Sequence, residues 1–391
     1  MAVLTARRES TGLLQRERAL RPDLLLVLAY LLLSGLGILM VYTASAPRLM
    51  ALGLDPGWQM QRQAIFVVVG LVAFVTVSLI DSRTLRMLTP VAYALATLAL
   101  LLVLTPLGDF RNGANRWIAL GPFQLQPSEF AKVAVILAMA ALLAEAVDGT
   151  LRWYHLVRSA AIVGLPSFLI FVQPDLGTML VLGFIAAAML FIAGTTWRQL
   201  TSLLLAGVLG TVGLLQVNAL KAYQLTRLVA FLDDTTDLAE TANYNQAQSE
   251  IAIGSGSFLG KGLFQGTQTN LSFVPEQSTD FIFTAIGEQL GFVGGALVLV
   301  LFAVIVWRLL AAAINGRDRF SQLVAIGVAS LIVFHVFVNI GMTLRMMPVT
   351  GLPLPFLSAG GSAYIAMSIA LGLGHAVWMR RSPVPGERQL L

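Results

Sequence analysis

Seven charged side chains stand in or beside stretches that are otherwise apolar. Asp280 and Glu288 lie in "PEQSTDFIFTAIGEQLG", Glu129 and Lys132 in "QPSEFAKVAVIL", and Asp175 in "QPDLGT". Arg116 sits beside Trp117 in "NRWIAL", and Arg345 in "MTLRMMPVTGLPLPF". A charge at the centre of a membrane helix costs about 2.5–3.5 kcal/mol on insertion scales. Several charges at one depth are better explained by a shared hydrophilic cavity than by independent surface pairs. With both signs present, such a cavity suits an anionic substrate held by Lys and Arg, with a carboxylate left over for proton transfer.

Taken singly, each residue also has a simpler role. Glu129 and Lys132 are three apart on the opening turn of a helix, so they share a face and can neutralise each other. Asp175 can complement a helix dipole, and Trp117 with Arg116 fits an interfacial belt. Asp280 and Glu288 are eight residues apart, close to two helical turns; both would face one cavity if the helix begins that early. Pairing through Gly287 and Gly291 is the competing account of Glu288's surroundings.

The elements that must position these residues are membrane helices. The chain has 391 residues, 57% hydrophobic and 12% charged, with mean hydropathy +0.81, whereas a soluble domain is about a quarter charged. Apolar runs of spanning length fall at 24–44, 63–80, 87–106, 129–147, 157–172, 175–194, 199–218, 281–307, 321–343 and 355–379. The expected fold is therefore an all-α polytopic membrane protein of about ten helices. Gln173-Pro174-Asp175 divides the fifth span from the sixth, with Pro174 disfavouring helix before it. The first span follows arginines and precedes Ala44-Ser45-Ala46, but its apolar run is too long for a secretory signal, so it reads as an uncleaved anchor.

With both ends inside, sixteen of the 25 Lys and Arg fall on the cytoplasmic side and nine outside, the bias expected of a polytopic protein. That accounts for the net charge of +5 without nucleic acid. The expected layout is a basic cytoplasmic tail at 1–23, one membrane domain at 24–380 and a cytoplasmic tail at 381–391. Residues 219–280 form a large extracytoplasmic loop between the seventh and eighth helices, carrying Asp233, Asp234, Asp237, Glu240, Glu250, Glu276 and Asp280. The absence of cysteine excludes disulfides. His155, His335 and His375 lack metal-ligand spacing. "GSGSFLGK" at 254–261 matches neither the Walker loop nor G-x-G-x-x-G, so no nucleotide is expected there.

Four stretches resemble the shape, elongation, division and sporulation (SEDS) family, the RodA and FtsW group. They are "NRWIALGPFQLQPSEFAKVAVIL", "QPDLGT", "IAIGSGSFLGKGLFQGTQTNLSFVPEQSTDFIFTAIGEQLGFVG" and "NIGMTLRMMPVTGLPLPFLSAGGSA". They occur in the family's order and spacing, and the likeness covers about residues 24 to 380. "GTQ" before "FVPE" and "PVTGLPLPF" look closer to the RodA branch. Two departures are visible: Ser278 stands where relatives often carry His before Thr-Asp-Phe, and Ala359 where they often carry Tyr. Neither replaces the acid at Asp280.

The resemblance implies a peptidoglycan glycosyltransferase that polymerises lipid II into β-1,4 glycan for cell elongation, at the outer face of the bacterial cytoplasmic (inner) membrane. Its implied partners are a lipid-linked glycan strand, a class B penicillin-binding protein and other elongation-complex proteins. Asp280 matches the family's essential catalytic aspartate, and Glu129, Lys132 and Asp175 match residues of the same cavity. Transfer from an α-linked diphosphate to a β-linked product inverts the anomeric centre. It needs a base at the acceptor 4-hydroxyl, here Asp280, and positive charge on the leaving diphosphate. Lys132, with Arg345 or Arg116, is expected to supply that charge, shared with a divalent cation (Mg or Mn), while Glu129 holds Lys132 in place. Gly254, Gly256, Gly260 and Gly262 are expected to form a mobile cover over the cavity. The rival readings are a lipid II flippase and a non-catalytic scaffold. The flippase is disfavoured because no polar set is evident on the cytoplasmic half, and the scaffold because it leaves the buried charges without a role.

Overall fold

The structure, a computed structural model, describes residues 21–111, 114–121, 123–146, 151–216 and 237–381. Most of the expected tails, 1–23 and 381–391, and residues 219–236 of the expected loop lie outside the described residues. Helices occupy all ten expected positions: α1 (Leu24–Ala51), α2 (Trp58–Leu79), α3 (Ser82–Val103), α4 (Pro127–Leu143), α5 (Trp153–Val172), α6 (Leu176–Ile192), α7 (Trp197–Gln216), α10 (Ile282–Ile314), α11 (Arg319–Thr343) and α12 (Gly361–Met379). Two more, α8 (Asp237–Ser255) and α9 (Thr267–Asn270), lie within the expected loop. Seven of these helices (α1, α2, α3, α5, α10, α11 and α12) are long and apolar enough to cross a membrane. The chain is an all-α, multi-pass membrane protein.

The boundaries move for local reasons. Asp23 and Asp81 cap α1 and α3 by accepting from Leu26 and Thr84 backbone N–H groups, and so start α3 earlier than hydropathy alone implies. Residues 355–360, expected as helix, are irregular and α12 begins only at Gly361, because prolines at 353 and 355 cannot supply the N–H donors a helix needs. Pro127 opens α4, where its missing N–H costs nothing. All of α4 except Phe130 and Ala141 is buried, so this helix is enclosed by its neighbours on nearly every face, its two charges Glu129 and Lys132 paired with each other.

Between α3 and α4 the helical body carries a small antiparallel sheet that the sequence did not signal: β1 (Gly108–Arg111), β2 (Ala114–Leu120) and β3 (Phe123–Leu125), in that order. Seven residues of β2 are too few to announce themselves beside long helices. Here β2 pairs with β3 from Ile118↔Leu125 to Leu120↔Phe123.

The α10 helix is broken at Gly291 (φ 66°, ψ −161°). The glycine-rich segment that follows α8 docks into the break. Lys261 and Gly262 donate their N–H groups to the carbonyls of Glu288 and Gln289, both at 3.0 Å, and Phe292 and Val293 donate to Ser257 and Phe258 at 3.0 and 3.2 Å. A break in a membrane helix is tolerated where protein re-satisfies the freed backbone groups, and this segment does so. A Cβ on Gly260 would meet the Gln289 backbone, and Gly260 itself has φ +80°, which only glycine adopts without strain.

Arg116, Gln126, Asp175 and residues 350–353 line one cavity with the start of α2, so the connections that carry them gather at one end of the bundle. The connections at 80–81, 193–196 and 315–318 meet at the far end of α2, where Ser82 Oγ donates to Asp318 Oδ2 at 3.2 Å and Arg319 donates to Ala193 O at 2.7 Å. There the Asp23 N–H donates to His375 Nε2 at 3.0 Å and its carboxylate accepts from Arg308 Nε at 2.7 Å. His375 Nδ1 lies 3.1 Å from Ser78 Oγ. The two ends of the described helical body therefore meet. This cluster is a polar set at the end of the bundle where the sequence made none evident; its members satisfy one another.

Candidate active site

A cavity of about 680 Å³ lies at the end of the bundle where the irregular connections gather. Asp280 lines it from a turn just ahead of α10, not from the helix itself. Its N–H donates to Glu276 O at 3.1 Å, and its carbonyl accepts from Asn339 Nδ2 of α11 at 2.8 Å. The same Nδ2 reaches Leu352 O at 2.7 Å. Both ends of the short peptide unit carrying the carboxylate are thus tied down. Gly351 faces it: a Cβ there would stand 3.4 Å from Asp280 Oδ2, on a backbone with φ +72°.

Glu129 and Asp175 line the same cavity. The first turn of α4 presents Glu129, whose Oε2 is 2.8 Å from Lys132 Nζ. Asp175 caps α6, accepting from Thr178 N–H at 3.1 Å and Thr178 Oγ1 at 2.9 Å. It therefore serves the helix terminus and borders the cavity at once. Arg116 and Trp117, on β2, complete that wall. Arg116 Nε donates to Gln173 O at 3.1 Å and its terminal nitrogen to Pro174 O. Gln173 Nε2 in turn donates to Leu100 O at 2.9 Å. The sheet thereby holds the turn that carries Asp175.

Three of the singled-out residues stand elsewhere. Lys132 is fully buried and lies behind Glu129, outside the cavity wall; its Nζ is 3.1 Å from His335 Nε2. Arg345 is exposed, just past the end of α11 with φ +58°, and does not line the cavity. Glu288 is also outside it. Because α10 starts only at Ile282, the two-turn relation with Asp280 does not arise, and Glu288 is instead buried under α9, where it accepts from the N–H groups of Gln268 and Thr269. The glycine segment is no cover either: it is spent on the α10 break.

Sequence reasoning passed over Arg62 and Gln63, which line the cavity from α2, and Glu276, which lines it beside Asp280. Gln59, Arg62 or Gln63, and Phe66 recur at helical spacing and all border the cavity; that polar stripe at the start of an apolar helix was the available signal. His335, a lone histidine within an apolar span, was another.

Among the described residues no group of three or more His, Asp or Glu is placed to hold a metal ion. Glu129 is paired with Lys132 and Asp175 is engaged by Thr178, so the donor set is no all-protein cage. It is compatible with a hard cation that keeps its waters and is shared with substrate phosphates, the usual manner of Mg²⁺.

Residues 23–382 match the family model FtsW/RodA/SpoVE, described as cell cycle protein. The chain is 38% identical to stage V sporulation protein E of Bacillus subtilis, over 90% of this chain and 95% of that protein. It is 34% identical to the peptidoglycan glycosyltransferase MrdB of Escherichia coli K12, over 93% and 94%. Among solved structures, a chain described under "Structural coordination of polymerization and crosslinking by a peptidoglycan synthase complex" superposes with TM-score 0.77 at 32% identity, over 92% of this chain and 98% of that one. The rod shape determining protein RodA of Thermus thermophilus gives TM-score 0.68 at 30% identity, over 93% and 99%. With a match spanning nearly every described residue, the chain belongs to the FtsW/RodA/SpoVE (SEDS) family.

Proposed function

We propose that this chain is a peptidoglycan glycosyltransferase that polymerises lipid II into β-1,4 glycan at the outer face of the bacterial inner membrane, with both ends of the chain cytoplasmic. The observation that carries the proposal is the convergence of Asp280, Glu129, Asp175 and Arg116 on one cavity at one end of the bundle, in a family with members named for this activity. The basic bias of the opposite end supports the orientation.

Asp280 removes the proton from the acceptor 4-hydroxyl as that oxygen attacks the anomeric carbon from the face opposite the leaving diphosphate. Arg116 and Arg62, which border the cavity, meet the charge developing on the diphosphate; this replaces the direct role first expected of Lys132 and Arg345. Glu129, with Lys132 behind it, is a fixed carboxylate in the same wall. A divalent cation, when bound, would be held by Asp280 and Asp175 and would help to neutralise the negative charge developing on the leaving group. The partner is a class B penicillin-binding protein that crosslinks the product strands, alongside other elongation-complex proteins. The "GTQ" and "PVTGLPLPF" forms support an elongation role.

The test is purified protein with labelled lipid II in detergent, with and without Asp280→Ala. Long glycan from the wild type alone is the expected result. Lipid II scrambling in liposomes with no polymer would instead make the protein a flippase.

A further inference from the structure

His335 and Asn339 are one turn apart on α11, on one face of the helix, and neither has exposed surface. They grip consecutive carbonyls of the irregular segment between α11 and α12: Asn339 Nδ2 donates to Leu352 O at 2.7 Å, and His335 Nδ1 lies 3.1 Å from Pro353 O. Each also reaches one half of the cavity. Asn339 donates to the carbonyl of Asp280 at 2.8 Å, and His335 Nε2 is 3.1 Å from Lys132 Nζ, whose other partner is Glu129 at 2.8 Å.

Hydrogen-bond chemistry fixes the histidine tautomer. A carbonyl oxygen only accepts, so Nδ1 carries the proton towards Pro353 and Nε2 presents a lone pair. That lone pair accepts from the Lys132 ammonium. His335 thereby gives Lys132 an acceptor on the side away from Glu129, and the lysine so held fixes the Glu129 carboxylate in the cavity wall. A doubly protonated ring would instead set two cations 3.1 Å apart.

We propose that His335 and Asn339 are positioning residues, which set the Asp280 and Glu129 walls of the cavity relative to each other through one turn of α11. His335 acts through Lys132, and Asn339 through the peptide of Asp280. Neither touches the cavity: its wall includes Gly351, Leu352 and Pro353 but not the two α11 side chains. The inference rests on the glycosyltransferase reading for its kinetic test and on geometry alone for its second test.

The kinetic test uses two replacements that divide the histidine's two bonds. His335→Gln places an acceptor near the former Nε2, whereas His335→Asn places a donor near the former Nδ1 and leaves Lys132 without its acceptor. With full-length protein in nanodiscs and labelled lipid II, His335→Asn is expected to lose kcat by on the order of tenfold to a hundredfold, the scale of a small misplacement of a reacting group. KM should hold, and His335→Gln should recover most of the rate. Equal behaviour of the two variants, whether both active or both impaired, overturns the role assigned to His335. The second test is amide hydrogen exchange. Asn339→Leu should raise exchange in residues 276–284 and 350–357 together, and unchanged exchange in either segment overturns the role of Asn339. Should Asn339→Leu not insert, Asn339→His, which keeps one donor, is expected to hold wild-type protection in one segment and lose it in the other; wild-type protection in both segments overturns the role likewise. If wild-type protein makes no glycan, the glycosyltransferase reading falls while the exchange measurement still decides the positioning.

Discussion

The Glu288 carboxylate receives both polar hydrogens that Thr269 offers: its N–H at 2.9 Å and its Oγ1 hydroxyl at 2.7 Å, both on Oε2. Its other oxygen accepts from Gln268 N–H at 2.9 Å and Lys261 Nζ at 3.0 Å. One buried carboxylate thus satisfies the first turn of α9 and ties the loop to α10. Glu288→Ala should leave these donors unpaired and cost about 3 kcal/mol, the scale for breaking one side of a buried pair. The measurement is thermal or denaturant unfolding, with limited proteolysis at residues 256–270. A variant as stable as wild type would mean that Glu288 is not what holds the loop.

Asp280→Asn should stop polymerisation, lowering kcat by about 10²–10⁴, the usual worth of a positioned base. The backbone bonds of this residue to Glu276 and Asn339 do not involve the carboxylate, so folding and insertion should persist. Single-turnover assays beside a melting curve separate the two effects. Near wild-type turnover in a folded variant would remove Asp280 as the base.

Arg116→Lys should lower kcat/KM by roughly tenfold or more. The planar guanidinium spans two carbonyls, Gln173 O and Pro174 O, and a single ammonium on a flexible stem does not reproduce that fork. The loss would appear in kinetics with lipid II; an unchanged kcat/KM would mean that the turn carrying Asp175 needs no such brace.

Gly260→Ala should destabilise the protein by at least about 1–2 kcal/mol from the left-handed backbone alone. More is expected because its Cβ would meet the Gln289 backbone. Unfolding in denaturant checks this, and Gly254→Ala, where a Cβ meets nothing within 4 Å, is the matched control and should be close to neutral on that steric ground.

Much of this was legible in the sequence because hydropathy is a strong local signal. All ten apolar runs became helices, and Asp280, Glu129, Asp175, Arg116 and Trp117 do share one cavity. What escaped was set by non-local contact. Lys132 looked like a ligand group until His335, some two hundred residues on, was seen behind it. Glu288 looked like a partner for Asp280 until the helix start at Ile282 and the docking of α9 fixed its direction. Arg62 and Gln63 were hidden because a polar stripe at the end of a span reads as interface. The sheet was hidden because a segment of seven residues has too short a period to stand out.

The cavity draws its walls from opposite ends of the chain. Arg62 and Gln63 come from α2, whereas Gly361 and Ser362 come from the start of α12, and a Cβ on Gly361 would run into the ring of Phe66. Gly70 likewise sits against Tyr364 and Ser368. The α2 helix therefore waits for α12, made about three hundred residues later, before the pocket closes. During biogenesis a chain translated only as far as α11 holds its acids and arginines in the bilayer without a finished cavity, so catalytic competence arrives only once α12 has docked on α2.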